Sequence, residues 1–211
     1  MDSDFILMAI IAFIIVGLVV LLVWMKSRGR RQVIKAITKV QEALKLTLFV
    51  GTHPQLDSVW IAVRGQVSGL NIRIFGGRGS GAGGAVATPV DRAFVLVVVT
   101  LPTIIPFRCM IQRRPALSNP RFGTSYEEFD KNIEVITDNE KKALTLLNSE
   151  QLRDAIVSFI KSSSSAFITS SEIVSKVSGD RKILPVAQEA LNIVGLIGNQ
   201  IKKIGEQPSQ K

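Results

Sequence analysis

Residues 59–75, VWIAVRGQVSGLNIRIF, decide the fold class of this chain. The aliphatic residues Val59, Ile61 and Val63 occupy alternate positions, which is the two-residue period of a β-strand. The residues Leu70, Ile72 and Ile74 repeat this period. Between the two runs, Val67, Ser68 and Gly69 supply a turn. Two strands joined by a short turn predict a β-hairpin, and hence a sheet in this part of the chain.

Further strands are predicted after the hairpin. The valine-rich run at about 88–100, with AFVLVVVT at its centre, is typical of a central strand covered on both faces. Residues 107–112 predict a fourth strand, and the segment around Ile133 and Val135 predicts a fifth. The serine-rich segment 162–180 predicts a loop followed by two short strands.

Helix signals are interspersed with the later strands. Residues 137–140 form a T-x-x-E capping box, Asn148 offers a second N-cap, and Pro185 suits the first turn of a helix that runs to about residue 204. The chain therefore predicts an α+β fold, with a mostly antiparallel sheet packed with three to four helices. We assign this domain to residues 46–205 and a disordered tail to residues 206–211.

The N-terminal run FILMAIIAFIIVGLVVLLVW, residues 5–24, carries no charged side chain. Twenty helical residues span about 30 Å, the thickness of the hydrocarbon core of a bilayer. The preceding MDSD is acidic and no small-x-small cleavage site follows, so an uncleaved anchor is favoured over a signal peptide. The sequence thus predicts one transmembrane helix over residues 5–25, with residues 1–4 as an extracytoplasmic tail.

Basic residues follow this run directly, and the net charge of +9 is concentrated there. Because Lys and Arg stay on the cytoplasmic side, the predicted orientation has the N-terminus outside and the C-terminal domain in the cytoplasm, as in a single-pass protein of the cell membrane. The lone Cys109 agrees with a reducing interior. The residues predicted to contact anionic lipid head groups are Lys26, Arg28, Arg30, Arg31, Lys35 and Lys39.

Residues 31–45 have apolar side chains at helical spacing and predict an amphipathic helix. This helix follows a break at Gly29 and forms most of a basic amphipathic juxtamembrane segment, residues 26–45. Two positions are open to this helix: on the lipid surface, or packed on the domain that follows. Nucleic-acid binding is disfavoured, because the domain itself has only a small surplus of positive charge and few aromatic residues.

No residue pattern identifies a catalytic centre, a cofactor or a metal site. The glycine-rich loop 76–84 lacks the lysine of a P-loop and is followed by a strand, so it predicts a mobile hairpin connection. His53 and Cys109 are too few for a zinc site, and a reactive pair between them is disfavoured because Cys109 falls on an apolar strand face. The carboxylates of Glu127, Glu128 and Asp130 are expected to be solvated in a polar loop.

The core pattern resembles a group of uncharacterised single-pass membrane-anchored proteins with a cytoplasmic α+β domain. The resemblance lies in VRGQVSGLNIRIF and in FGTSYEEFDKNIEVITDNEKKALTLLNSEQLRDAIVSFI, and it covers about half of the chain. It implies no activity and transfers no functional residue. The matching positions are Gly65, Gly69, Phe129, Asp130, Val135, Asp138, Ala143, Leu146, Leu147 and Leu152.

The function predicted from the sequence is therefore that of a membrane-anchored, non-catalytic interaction or scaffold protein, an accessory subunit of a larger membrane complex. Its expected partners are the lipid bilayer, anionic lipid head groups and a protein partner. Two alternatives stay open: a membrane-surface sensor that binds anionic lipid, and an enzyme with an unrecognised site. The enzyme would draw on common polar residues such as Asp57, Arg64, Asp91 and Tyr126.

Overall fold

The computed structural model describes residues 3–79, 93–116, 122–178 and 183–206. They form an α+β fold with one eight-stranded sheet and five helices. The helices are α1 (Ser3–Leu44), α2 (Glu127–Asn132), α3 (Glu140–Leu146), α4 (Glu150–Ser162) and α5 (Ile183–Glu206). The strands are β1 (Thr47–Leu48), β2 (Ser58–Val67), β3 (Leu70–Arg78), β4 (Ala93–Thr100), β5 (Cys109–Arg113), β6 (Ile133–Thr137), β7 (Ser165–Thr169) and β8 (Glu172–Ser178).

All neighbouring strands of the sheet are antiparallel, in the order β1-β2-β3-β4-β8-β7-β5-β6. The predicted hairpin is confirmed as β2 and β3, which pair from Val67 opposite Leu70. Its two turn residues, Ser68 and Gly69, have φ angles of +51° and +80°. A two-residue turn with both φ angles positive matches the right-handed twist of the strands that it joins.

The valine-rich strand β4 lies in the middle of the sheet and is buried on both faces, as predicted. Val95, Val97 and Val99 face the main core, which is closed by α1, α4 and α5. Leu96 and Val98 face a smaller cluster on the opposite side of the sheet, together with Phe75. This two-sided burial explains why the strand is continuously apolar rather than alternating.

The helix α1 is continuous through Gly29, which the sequence suggested as a break. Its C-terminal half packs on the domain, because the side chains of Val33, Ile37 and Val40 are buried in the main core. A β-carbon on Gly76 of β3 would lie 2.5 Å from Ile37 Cδ1 and 2.6 Å from Val33 Cγ1, so glycine permits the close approach of this helix. Of the two positions open to residues 31–45, the structure shows the one packed on the domain.

The predicted transmembrane helix over residues 5–25 is contradicted. Over the residues that the structure describes, no helix is long and apolar enough to cross a membrane. The apolar run is not a separate element but the N-terminal part of α1, whose C-terminal part packs on the sheet. The single-pass placement deduced from that run, with the N-terminus outside and a cytoplasmic domain, is contradicted with it.

Several local boundaries also differ from the predictions. The N-caps of α3 and α4 are Asn139 and Ser149, whose side chains accept hydrogen bonds from the amides of Lys142 and Leu152. Each of these residues lies closer to its helix than the predicted cap, and each satisfies an amide in the first turn. The strand β3 extends through residues 76–78 of the glycine-rich segment, whereas residues 80–92 lie outside the described part. The predicted tail lies outside it from residue 207 onward.

Candidate binding surface

Four basic side chains form a stripe along α1. Arg28, Arg31, Lys35 and Lys39 are exposed and follow one another at intervals of three or four residues, which places them on one side of the helix. At about 100° per residue, their mean direction lies roughly 145° from that of the buried side chains of the same helix. The stripe is about 16 Å long, and it faces away from the domain.

The other two predicted lipid contacts are not part of this stripe. Arg30 is exposed but points to one flank of the helix, roughly 145° from the stripe and about 70° from the direction of the buried side chains. Lys26 belongs to α1, and its side chain lies outside the described part. The sequence therefore identified the basic segment, whereas the packing of α1 on the sheet selects which of its residues share a free surface.

An exposed apolar segment adjoins the stripe. The side chains that the structure describes between Phe13 and Trp24 are exposed and almost all large and apolar, from 50% exposed at Leu21 to 81% at Phe13. Trp24 connects the two surfaces, because the Arg28 guanidinium lies 5.1 Å from the centre of its ring. A continuous apolar surface of this kind on a folded protein marks a site of interaction.

The carboxylates near Tyr126 line a groove of about 580 Å³ between α2 and α4. Glu127 and Glu128 are exposed there, and the Arg153 guanidinium lies 3.3 Å from the centre of the Tyr126 ring. Asp130 does not line this groove, and its two oxygens accept hydrogen bonds from Thr124. Over the described part of the chain, no group of three or more His, Cys, Asp or Glu side chains is placed to hold a metal ion.

The cysteine and the histidine are not brought together. Cys109 is buried on β5, and burial, together with a smaller contribution from the carboxylate of Asp138, raises the pKa of its thiol to about 12. His53 packs on the opposite side of the sheet, 5.2 Å from the Phe75 ring, and burial lowers its pKa. A nucleophilic cysteine requires a lowered pKa and an adjacent base, so this geometry opposes that chemistry.

The polar residues considered for an enzyme do not converge either, as far as the described part of the chain contains them. Asp57 precedes one end of β2, whereas Arg64 lies about 20 Å further along that strand and packs over the Phe49 ring. Tyr126 lies at the start of α2, in the groove described above. Asp91 lies outside the described residues.

No protein-family model matches the chain, and no curated protein sequence matches it. The chain is similar to the crystal structure of the mycobacterial trehalose monomycolate transport factor A, TtfA, with 10% sequence identity over 82% of this chain and 94% of that chain, at a TM-score of 0.49. An identity and a TM-score this low carry no argument about what the chain binds.

Proposed function

We propose that this chain is a non-catalytic protein that binds the surface of an anionic lipid bilayer through α1. The single observation that carries the proposal is the basic stripe of α1, which lies on the side opposite the sheet. The helix therefore separates the domain from whatever the stripe contacts. Binding needs only the stripe and the adjoining apolar segment to meet the bilayer surface.

The chemistry of the two surfaces favours this partner. Each Lys or Arg near an anionic leaflet contributes about 1 kcal/mol of attraction, so the stripe would contribute up to about 4 kcal/mol at moderate salt. The exposed apolar side chains of residues 13–24 adjoin it and suit the boundary between head groups and acyl chains. Trp24, with Arg28 stacked on it, lies where a tryptophan would sit at head-group level.

Vesicle flotation of the full chain tests the proposal. Vesicles of phosphatidylcholine alone are compared with vesicles that also contain phosphatidylglycerol. In the stripe variant, all four stripe residues are replaced by glutamine, which keeps a good helix propensity. In the control variant, four exposed lysines elsewhere in the domain are replaced by glutamine, so the net charge falls by the same amount: Lys141, Lys142, Lys202 and Lys203.

We expect the wild type and the control variant to prefer the anionic vesicles, and increasing salt to weaken the preference. In the stripe variant, the preference for anionic vesicles should fall by up to several hundred-fold. This factor corresponds to the loss of up to about 4 kcal/mol, since 1.4 kcal/mol is a factor of ten. Equal binding of the wild type to both vesicles, or an equal loss in the control variant, would refute the proposal.

A protein partner is a second candidate, which the exposed apolar segment supports on its own. A helix that is apolar on all sides is normally covered, and in the described part no element of this chain covers residues 13–21. An accessory role in a complex would place that segment against another protein. Cross-linking of the full chain from residues 13–24, compared with cross-linking from the exposed face of α3, separates this candidate from the first.

A further inference from the structure

A basic cavity of about 330 Å³ lies at the opposite edge of the sheet from α1. Its lining combines the end of β5, the junction of α2 and β6, and the last turn of α4. Four of its lining residues are basic and none is acidic, which distinguishes it from the acidic groove beside it. The basic residues are Arg113, Arg114, Lys131 and Lys161.

Backbone carbonyl groups hold the two arginines in place. Arg113 donates from Nη2 to the carbonyl oxygens of Ile160 and Ser163, at 2.7 and 3.2 Å. Arg114 donates from Nη1 to the carbonyl oxygen of Asp130, at 3.0 Å. Carbonyl groups orient the Arg113 guanidinium without neutralising its charge, so the cavity keeps a positive group whose position is already fixed.

Two carboxylates lie near the lining residues but do not themselves line the cavity. Both oxygens of Asp130 accept hydrogen bonds from Thr124, at 2.7 to 3.0 Å. Glu128 lies 3.7 Å from Lys161, but their side chains are 84% and 54% exposed, so water screens the pair strongly. The described lining itself therefore contributes four basic groups and no carboxylate to an entering anion.

We propose that this cavity binds a phosphate group. A planar guanidinium recognises phosphate oxygens through paired hydrogen bonds, and the lysines add charge without directional demands. The volume lies at the lower end of the range of ligand pockets and corresponds to roughly ten water molecules at about 30 Å³ each. The ligand is therefore a small phosphate-bearing molecule or the head group of a phospholipid.

The site is independent of the stripe on α1. The sheet order places three strands, β4, β8 and β7, between the strand β3 against which α1 packs and the strand β5 that lines the cavity. At about 4.8 Å between neighbouring strands, the two surfaces are roughly 19 Å apart across the sheet. Failure of the lipid-surface proposal would leave this one unaffected.

Titration of the ¹⁵N-labelled full chain with inorganic phosphate tests the site. We expect the amide signals of residues 113, 114 and 131–133 to shift. The affinity should be higher at pH 7.5 than at pH 5.5, because a larger fraction of the inorganic phosphate carries its second negative charge at the higher pH. Lys131→Met should weaken binding about tenfold, whereas Lys142→Met, an equally exposed change on α3, should leave it unchanged. Arg113→Gln should weaken it more, but that change also removes a contact at the end of α4, so Lys131→Met is the decisive variant.

Vesicles of phosphatidylcholine with phosphatidic acid identify the source of the phosphate group. Lys131-dependent binding of inorganic phosphate supports a soluble ligand, and Lys131-dependent binding of these vesicles in the stripe variant supports a lipid head group. The proposal would be overturned if neither inorganic phosphate nor these vesicles bound in a Lys131-dependent way, or if Lys142→Met weakened binding as much as Lys131→Met. Persistence of the phosphate shifts in the stripe variant distinguishes this site from the lipid-binding surface of α1.

Discussion

Truncation of Ile37 to alanine tests whether the C-terminal half of α1 belongs to the core of the domain. Ile37 is 0% exposed and contributes to the main cluster. Loss of three carbon atoms removes about 2.4 kcal/mol of transfer free energy, at about 0.8 kcal/mol each. The remaining cavity adds to this, because the sheet beneath it relaxes only partly, so we expect a total cost of about 3–4 kcal/mol in the free energy of unfolding.

Urea unfolding followed by far-UV circular dichroism measures this cost as a lower midpoint at an unchanged slope. The melting temperature should fall by about 6–16 °C for a protein of this size. Ile15→Ala is the matched control, because it removes the same atoms from the same helix at a position that is 55% exposed. We expect it to change the free energy of unfolding by less than about 0.5 kcal/mol. Equal effects of the two substitutions would show that α1 does not pack on the sheet.

Two further predictions concern buried polar groups. Burial raises the pKa of Cys109 to about 12, so iodoacetamide should modify this thiol at pH 8 only after unfolding in guanidinium chloride. At pH values between the usual thiol pKa of 9.0 and about 12, native Cys109 keeps a proton that the unfolded chain loses. As the pH rises from 8 to 10, the wild type should therefore lose about 1 kcal/mol of stability relative to Cys109→Ala. Paired urea titrations measure this difference. Asp130→Ala removes the acceptor of the amide and hydroxyl groups of Thr124, a residue that is only 2% exposed. We expect this substitution to lower the free energy of unfolding by about 2 kcal/mol. A urea midpoint within error of the wild type would exclude this role for Asp130.

The hairpin and the central strand were predictable because their signals are local. Alternation in residues 59–75 identified β2 and β3, and the continuous valine run identified a strand buried on both faces. The caps of α3 and α4 were misplaced because several neighbouring residues are able to accept the same amide hydrogen bonds. Tertiary packing selects among them, and it selected Asn139 and Ser149.

Of the two proposed binding surfaces, one had a signal in the sequence and the other had none. The basic segment of α1 was visible as a run of charges, but its division into a free stripe and a side-facing Arg30 depends on which face of the helix the sheet covers. The phosphate site had no signal in the sequence. Arg113, Lys131 and Lys161 are separated by up to 48 residues. They meet only because the end of β5, the junction of α2 and β6, and the last turn of α4 lie beside one another.

The sequence by itself determined the periodicities, and hence the α+β class, the antiparallel hairpin and the concentration of positive charge after residue 25. These properties depend on neighbours along the chain, whose spacing is fixed by the covalent backbone. Only the tertiary structure decided that α1 packs on the sheet, which face of it stays free, and which distant basic residues share a cavity. Those outcomes depend on burial between segments far apart in sequence, and a one-dimensional pattern does not encode which segments become neighbours.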